Sequence, residues 1–321
     1  MKILVLVRER LNGVLFYREV IPHSYMVGRY DVEVMFKDNI YTTTDEELSE
    51  VDIIHSSYFF IDELTIKRIL RLGIKLVIDV DDYWQLDRFH ELYEHYKEEK
   101  RGEWIQLVMG LVDAITTTTE MLGEKIKKYT DNVGVFANCL MDDDYIRPKQ
   151  NPVPFIGWLG AANHTADLME IQHLQKGYNI PVYVPELYRP VFNDKFLYYG
   201  GQPIPNYLGL YNEYEIIISP LRDNKFNNHK SPLKFMEAGM FRKPLIISDV
   251  QPFSPYLKHK ENCLRVRKRS EWGKWAKLLT KDVDMRKELG DNLHKDVKEH
   301  FDIEKITKER YEFYCGVVDN N

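Results

Sequence analysis

The sequence is organised around residues 215–249, EIIISPLRDNKFNNHKSPLKFMEAGMFRKPLIISD. This stretch predicts a strand, a long polar loop, a helix and a second strand. The three isoleucines at 216–218 form a continuous apolar run, which is typical of a strand buried on both faces of a parallel sheet. Ser231 is a favoured N-cap residue and Pro232 a favoured first helical residue, so the pattern predicts a helix that begins there.

The loop before this helix is rich in positive charge. The first turn of a helix has unpaired N–H groups and the positive end of the helix dipole, which together attract anions. Basic side chains delivered to the same point predict a phosphate site, in which cationic groups neutralise the charge of a bound diphosphate. The basic residues of the loop are Arg222, Lys225, His229 and Lys230.

The helix itself carries a second candidate contact. Leu233, Met236 and Met240 repeat at helical spacing and are expected to face the sheet. Lys234 and Glu237 lie three residues apart, off that apolar stripe, and a carboxylate there can accept hydrogen bonds from the two hydroxyls of a ribose. The alternative is an exposed Lys–Glu pair, worth a few tenths of a kcal/mol. The neighbouring basic loop favours the ligand interpretation.

The segment FNNHKSPLKFMEAGMFRKPLIISD, residues 226–249, resembles the donor-site signature of family-4-like glycosyltransferases of the GT-B fold. In that family the helix carries a glutamate, seven residues and a second glutamate, and the second one binds the ribose. Glu237 matches the second glutamate, whereas His229 stands at the place of the first. The form with Lys230, Ser231 and Lys234 before the glutamate is also found in the family. The resemblance implies that these residues hold a nucleotide diphosphate sugar.

Length and composition limit the class of protein. A chain of 321 residues exceeds one comfortable core and indicates two domains. The net charge of −6 gives no bulk support for nucleic-acid binding, although a local basic groove remains compatible with it. Cys139, Cys263 and Cys315 are odd in number and share no CxxC spacing, which indicates neither a disulfide framework nor a zinc site.

These features predict a cytoplasmic protein. No apolar run approaches the roughly 20 residues that span a bilayer. The first residues, MKILVLVRER, are expected to form a strand, because charge follows too soon for a signal peptide.

Strand and helix patterns alternate in both halves, which predicts an α/β protein with two parallel, doubly wound sheets. We expect an acceptor-side domain at 1–150, a nucleotide-sugar-binding domain at 151–300, and a terminal helix at 301–321 that Asp302 caps. The proline-rich stretch at 138–154 is the predicted linker. The resemblance implies two Rossmann-like domains that face a cleft, with the terminal helix crossing back to the first domain.

A glycine turn opens the second half in FIGWLGAANHTADL, residues 155–168. Ligands bind at the carboxyl edge of open α/β sheets, and Gly160 would let a phosphate approach the backbone closely. The alternative is a tight strand–helix turn that needs glycine for steric reasons. The stretch resembles the family's first C-domain loop, with Asn163 and His164 in that loop.

Three carboxylates lie in VIDVDDYW, residues 77–84. Asp79 and Asp81 share one face of a strand that ends at Asp82, an arrangement that suits a hard cation or an acid/base pair. The alternative is that the carboxylates cap the next helix or position an acceptor hydroxyl. Family members generally need no metal, so the resemblance favours an acceptor-side role for Asp81 or Asp82.

Further candidates come from the first half. His55, in DIIHSSYF, stands where the family places an acceptor-side or sugar-side histidine, although a histidine at a strand end is more often structural. Gly13 and Arg18 follow the first strand and are expected to face the cleft, where the resemblance implies a loop near the donor phosphates. The stretch GVLFYREVIP, residues 13–22, is similar to the start of some phage-encoded glycosyltransferases.

The resemblance implies transfer of a sugar from a nucleotide diphosphate sugar, a UDP-sugar first, to an acceptor hydroxyl with retention and without metal. The acceptor class stays open between a glycan and a hydroxymethylated pyrimidine in phage DNA. Two alternatives remain. One is a nucleotide-sugar 2-epimerase, which needs no acceptor. The other is a non-catalytic nucleotide-sugar-binding protein, suggested by His229 in place of the family glutamate.

Overall fold

The computed structural model describes residues 1–7, 13–58, 61–140, 155–160, 162–204 and 206–319. These residues form two six-stranded sheets, as predicted, and every strand pair in both is parallel. The N-terminal sheet consists of β1 Lys2–Leu6, β2 Glu33–Lys37, β3 Ile53–Ser57, β4 Lys75–Val80, β5 Ala114–Thr117 and β6 Val133–Val135. The C-terminal sheet consists of β7 Ile156–Gly157, β8 Val182–Pro185, β9 Leu197–Tyr199, β10 Ile216–Ser219, β11 Leu245–Ser248 and β12 Leu264–Val266.

Helices connect the strands in both halves. In the N-terminal half they are a π-helical segment Leu15–Val20, α1 Ile21–Met26, α2 Asp45–Ser49, α3 Glu63–Leu72, α4 Tyr93–Glu98, α5 Arg101–Met109 and α6 Glu120–Ile126. Those that follow are α7 Thr165–Leu168, α8 Leu174–Tyr178, α9 Arg189–Phe192, α10 Asn206–Gly209, α11 Lys225–Asn228, α12 Leu233–Met240, α13 Arg269–Lys281, α14 Val283–His300 and α15 Ile303–Asp319. Short 3₁₀ turns cover Glu186–Tyr188, Asn193–Lys195, Leu210–Asn212 and Ser254–Tyr256.

The strand order places a crevice in each sheet. The N-terminal order is β2-β1-β3-β4-β5-β6. Successive strands are therefore added on one side of β1 and then on the other, so the strand order reverses between β1 and β3. The C-terminal order is β12-β11-β10-β7-β8-β9, with the reversal between β7 and β10. Ligands of open α/β sheets bind beyond the carboxyl ends of the strands at such a reversal. Each domain therefore offers one binding edge.

Strand β10 is buried on both faces, as its isoleucine run predicts. Ile216 and Ile218 pack into one apolar cluster with β8 and α13, whereas Ile217 packs into another with α12 and α14. All three side chains are at most 1% exposed. Because successive side chains of a strand point to opposite faces, a continuous apolar run is what a covered central strand requires.

The final helix, α15, packs against the N-terminal sheet, as the resemblance implied. Tyr314 is fully buried in a cluster with Ile3, Val5 and Ile53, from the first and third strands. Asp302 caps the helix by accepting a hydrogen bond from the Lys305 backbone N–H at 2.7 Å, which confirms that prediction. The two halves are thus joined by the last element as well as by the linker.

Several predicted boundaries differ from the structure. The apolar run at 155–159 predicts a strand, of which only Ile156–Gly157 forms. The pattern at 89–100 predicts a helix, which is limited to Tyr93–Glu98. The short helix α2, which Thr44 begins with a capping box, was not predicted. Most of the predicted linker, from residue 141 onward, lies outside the described residues, so the domain boundaries stay predictions. In the described part of the chain, no helix is both long and apolar enough to cross a membrane.

Candidate active site

A cavity of about 850 Å³ lies between the two domains. It opens over the carboxyl ends of the strands at both reversal points. Ser57, at the end of β3, contributes from the N-terminal sheet, and Ser219, at the end of β10, contributes from the C-terminal sheet. The predicted residues that line it are Gly13, Arg18, Asp81, Asp82, Gly160, Asn163, His164, Lys230, Ser231, Lys234 and Glu237.

Lys230 lies on the cavity wall and contacts the opposite domain. Its Nζ is 3.1 Å from Asp82 Oδ2 and 4.5 Å from the centre of the Phe226 ring. The lysine side chain is 22% exposed and the aspartate 30%, so both remain accessible to a ligand. A cation held beside the cavity by an aspartate of the other domain is available to a diphosphate that enters between them.

The helix start differs from the prediction. Helix α12 begins at Leu233, Pro232 is its N-cap residue, and no side chain of the described residues caps it. The Ser231 Oγ instead accepts a hydrogen bond from Asn138 Nδ2 at 3.0 Å, across the domain boundary. The predicted loop also contains a short helix, α11, which Asn224 caps. Ser231 still lines the cavity.

Glu237 is buried rather than exposed on the helix surface. Its side chain has no accessible surface, because two phenols and an ammonium group surround the carboxylate. Tyr17 donates to Oε1 at 2.5 Å, Tyr211 donates to Oε2 at 2.6 Å, and Lys234 Nζ lies 2.7 Å from Oε2. Lys234 also donates to the Tyr207 hydroxyl at 2.7 Å. The Lys–Glu pair is therefore a buried site within the cavity wall, not a surface pair.

The glycine turn after β7 forms the neighbouring wall. A Cβ at Gly160 would lie 2.4 Å from the Trp158 ring, so this position needs glycine. Asn163 follows with a φ of 73°, in the left-handed region that asparagine tolerates. His164 Nδ1 is 2.8 Å from Asp167 Oδ2. The turn predicted to approach a phosphate therefore lies beside Lys230 in the same cavity.

Asp167, which the sequence did not single out, joins the two loops of the C-terminal domain. It is 4% exposed, and its Oδ1 accepts hydrogen bonds from the Arg222 backbone N–H at 2.8 Å and from Asn227 Nδ2 at 3.3 Å. The other oxygen holds His164. Asp167 thereby fixes the glycine turn relative to the basic loop.

The aspartates of β4 have different surroundings. Asp79 is fully buried and paired with Arg18, whose Nη2 lies 2.7 Å from Oδ2. Burial opposes ionisation of Asp79, but the guanidinium outweighs burial and lowers its pKa. For Asp81 the balance is reversed, since burial followed by the Asp82 and Asp79 carboxylates raises its pKa well above the usual value. Asp81 and Asp82 line the cavity, whereas Asp79 is not among the described residues that line it.

Arg222 and His229, both predicted to contact the donor, are not among the described residues that line the cavity. The Arg222 guanidinium lies 5.3 Å from the Phe89 ring, in a small depression beside the cavity. His229 is 5% exposed and stacks on Tyr83, with ring centroids 4.6 Å apart. Arg222 precedes α11 and its backbone N–H is held by Asp167, whereas His229 follows α11 and its Nδ1 lies 2.7 Å from the Lys225 carbonyl oxygen.

His55 does not lie at the acceptor or sugar side of the cavity, where the resemblance placed it. It lies within β3, is fully buried, and in the described structure does not reach the cavity. Its Nδ1 is 2.6 Å from Glu19 Oε2, and its Nε2 is 3.3 Å from Thr116 Oγ1. Burial, and then the charge of Arg310, lowers the pKa of His55 to about 3. These contacts give His55 a structural position between β3 and the π-helical segment.

Glu19, His23 and His55 form a buried group whose potential ligand atoms lie within 4.8 Å of one another. Burial is the first cause of a Glu19 pKa well above its usual value, and it also lowers the pKa of both histidines. Burial thus disfavours the charged form of all three side chains. Desolvation of a divalent cation in such an enclosed group would be costly.

The sequence did not reveal the tyrosines of the site. Tyr17, Tyr199, Tyr207 and Tyr211 surround or adjoin the Lys234–Glu237 pair, yet they come from three different parts of the chain. The chain has 21 tyrosines, and nothing in their spacing distinguishes these four from core residues. Only the fold brings them together.

Many solved structures resemble the chain in fold, and three of them illustrate the likeness. Sucrose-phosphate synthase from Thermosynechococcus elongatus has a TM-score of 0.71 and 12% identity and covers 100% of both chains. An alpha-glucosyltransferase in complex with UDP and a 13-mer DNA containing an HMU base has a TM-score of 0.63 and 12% identity, over 98% of this chain and 99% of that one.

A mutant of TarM from S. aureus, in complex with Fondaparinux, alpha-GlcNAc-glycerol and UDP, has a TM-score of 0.60 and 12% identity over 82% of this chain. The chain spans about half of the length of TarM, 55%. No family model and no curated protein sequence matches the chain. The chain has the GT-B fold of these glycosyltransferases, which confirms the fold that the 226–249 segment implied.

Proposed function

We propose that this protein is a glycosyltransferase that moves a sugar from a nucleotide diphosphate sugar, a UDP-sugar, to an acceptor hydroxyl. One observation carries the proposal: Lys230, the Gly160 turn and the Lys234–Glu237 pair meet in a single cavity over the reversal points of both sheets. Two of the structures that share its fold contain UDP. Lysines, a glycine turn and a carboxylate match the diphosphate and ribose of such a donor.

The proposed reaction retains configuration at the anomeric carbon. The acceptor oxygen bonds to that carbon on the face from which the diphosphate leaves, and the acceptor proton passes to the departing diphosphate oxygen. The chain's main task is then electrostatic, because negative charge grows on the leaving group. Lys230 neutralises that charge once it exchanges Asp82 for the diphosphate. Asp81, on the opposite wall, accepts a hydrogen bond from the acceptor hydroxyl and orients it.

We further propose that the reaction needs no metal ion, because Lys230 and Lys234 supply positive charge at the cavity. Their Nζ atoms face the space between the domains and are engaged by Asp82 and Glu237 respectively. Treatment of the protein with EDTA should leave the transfer rate unchanged within about two-fold. A loss of activity that Mg²⁺ or Mn²⁺ restores would contradict this part of the proposal.

The first candidate acceptor is a glycan, because carboxylates such as Asp81 and Asp82 pair well with sugar hydroxyls. The second candidate is a hydroxymethylated pyrimidine in DNA, which the similarity to the DNA-bound glucosyltransferase favours. The two aspartates and the net charge of −6 oppose a polyanionic acceptor.

The experiment is incubation with a panel of UDP- and GDP-sugars together with glycan or hydroxymethyluracil-containing DNA, followed by mass spectrometry. We expect one acceptor to gain the mass of a single hexose or pentose with release of UDP. An isomerised sugar without any acceptor would identify a 2-epimerase instead. Nucleotide binding with no transfer to either acceptor class would indicate a binding protein.

A further inference from the structure

Glu237, the carboxylate that the proposed function assigns to the ribose, is inaccessible in this structure. The Glu237 side chain has no exposed surface, although it borders the cavity. Both of its oxygens already accept hydrogen bonds, Oε1 from Tyr17 and Oε2 from Tyr211 and Lys234. A ribose hydroxyl cannot reach either oxygen unless one of these donors leaves.

Of the three groups that donate to Glu237, Tyr17 alone belongs to the other domain; it is 2% exposed and packs against residues of the C-terminal domain. Tyr211 belongs to the same domain as Glu237, is 0% exposed, and stacks on Phe241 with ring centroids 5.1 Å apart. Lys234 lies one helical turn from Glu237 on the same helix. Tyr17 comes from the other domain, 220 residues away, and borders the cavity. An opening of the cleft would therefore separate Tyr17 from Glu237 and leave the other two contacts in place.

The segment that carries Tyr17 is itself firmly held. It is the π-helical stretch Leu15–Val20, and π-helical turns occur frequently at functional sites. The next residue, Arg18, is buried and bonds to Asp79, to the Phe136 carbonyl oxygen at 2.5 Å and to Asn138 Oδ1 at 3.2 Å. Tyr17 thus projects from an anchored backbone towards the other domain, which suits a contact that forms and breaks with the cleft.

We propose that the Tyr17 hydroxyl occupies the ribose subsite when no nucleotide sugar is bound. A ribose hydroxyl of the nucleotide sugar then replaces Tyr17 as the hydrogen-bond donor to Glu237 Oε1. Tyr17 is then an affinity-setting residue of the donor site, although it belongs to the acceptor-side domain. This inference rests on the proposed function. Its consequence is that donor binding releases a contact between the domains.

The test is calorimetric titration of UDP into the wild-type protein, Tyr17→Phe and Tyr211→Phe. Removal of the Tyr17 hydroxyl frees one carboxylate oxygen, and a hydrogen bond to a charged group is strong enough that its release should lower the Kd for UDP about ten-fold. Tyr211→Phe removes the same chemical group from the same carboxylate but opens no path from the cavity. We expect it to leave the affinity unchanged or weaker.

A second titration uses the 2′,3′-dideoxy analogue of UDP. This analogue lacks the two ribose hydroxyls from which Glu237 would accept hydrogen bonds. Tyr17→Phe should change the Kd of this analogue less than about two-fold. Thermal melting shows that each variant is folded. Tyr17→Leu, which lacks the hydroxyl as well, is a second variant for which we expect the same gain.

Equal UDP affinity in wild-type protein and both Tyr17 variants would overturn the inference and leave the proposed function intact. An equal gain for UDP and its dideoxy analogue would also overturn it, because the gain would not act through the ribose. Failure of all the proteins to bind UDP would contradict the proposed function and this inference together.

Discussion

At the scale of single residues, the carboxyl groups of β4 and its end have opposite electrostatic surroundings. Asp79 has a guanidinium partner and a lowered pKa, whereas Asp81 has two carboxylate neighbours and a raised pKa. The first group stabilises the fold as an ion. The second destabilises the fold when it is ionised. Groups whose pKa is shifted in this way are common at functional sites.

Asp81→Asn should raise stability and lower activity. Between the pKa of an unfolded aspartate, about 4, and the raised pKa of Asp81, the native state holds a proton that the unfolded state has lost. Wild-type stability therefore falls as pH rises through this window. Asparagine does not titrate, so the gain in melting temperature should be larger at pH 8 than at pH 4. The transfer rate should fall by up to about a hundred-fold, because the acceptor hydroxyl is no longer held in its proper position. A gain that is equal at both pH values would contradict this assignment.

Asp79→Asn is the matched substitution and should act in the opposite direction. It leaves the Arg18 guanidinium, which is 2% exposed, without its anionic partner. Loss of one member of a buried ion pair costs about 3–5 kcal/mol. Urea unfolding at pH 7 measures the change, and a variant as stable as wild type would show that Arg18 does not depend on Asp79.

The identity of the site residues was easier to predict from the sequence than their burial and their contacts. Lys230, Lys234, Glu237 and Gly160 were named from local pattern and resemblance, and the fold brings them to one cavity. Burial of Glu237 was not foreseen, because Tyr17 lies 220 residues away in sequence. His55 was misplaced for the same reason: its partners come from elements that sequence spacing does not relate to it.

At the scale of elements, close helix packing behind α12 holds the donor-side residues in place. A Cβ at Gly290, on α14, would lie 2.2 Å from the Arg242 carbonyl oxygen. Backbone cannot move aside as cheaply as a flexible side chain. The chain that follows α12 therefore approaches α14 at a distance that only glycine permits.

Gly290→Ala should destabilise the protein by about 1–3 kcal/mol, as overpacking of a filled interior typically does. Gly316→Ala, on α15, is the matched control, since a Cβ there would meet nothing within 4 Å. That change should stabilise the helix by about 0.5–1 kcal/mol. Urea unfolding of both variants checks the pair. Destabilisation by Gly316→Ala, or none by Gly290→Ala, would contradict the packing described here.

Element types were more predictable than their ends. The parallel alternation and the doubly buried β10 follow from apolar runs that local sequence displays. The N-cap of α12 was predicted one residue too early, at Ser231 instead of Pro232, and the Ser231 hydroxyl is bonded to Asn138. That partner is distant in sequence, so capping rules applied to neighbouring residues cannot detect it.

At the scale of the whole molecule, the last helix belongs structurally to the first domain. Tyr314 is fully buried against β1 and β3, and Arg310 Nη1 donates to the Arg18 carbonyl oxygen at 3.2 Å. The terminal helix therefore supports the segment that carries Tyr17 and Arg18. Stability of the N-terminal sheet depends on residues about 300 positions away.

Tyr314→Ala should destabilise the protein by about 3–5 kcal/mol, the range for removal of a large buried aromatic side chain. Glu312→Ala, at an exposed position of the same helix, should change stability by less than about 0.5 kcal/mol. Hydrogen exchange should show faster exchange in β1 and β3 of the Tyr314 variant. Exchange confined to the final helix would show that the sheet does not rely on it.

The central claim, that a diphosphate binds at Lys230 between the domains, is tested most directly by transfer rates of Lys230→Ala and Lys225→Ala. Lys225 also reaches the other domain, with its Nζ 3.3 Å from Gln85 Oε1, but it is not among the described residues that line the cavity. We predict that Lys230→Ala, still folded, loses about two to three orders of magnitude in rate, while Lys225→Ala keeps wild-type activity. Wild-type turnover by Lys230→Ala would contradict the account.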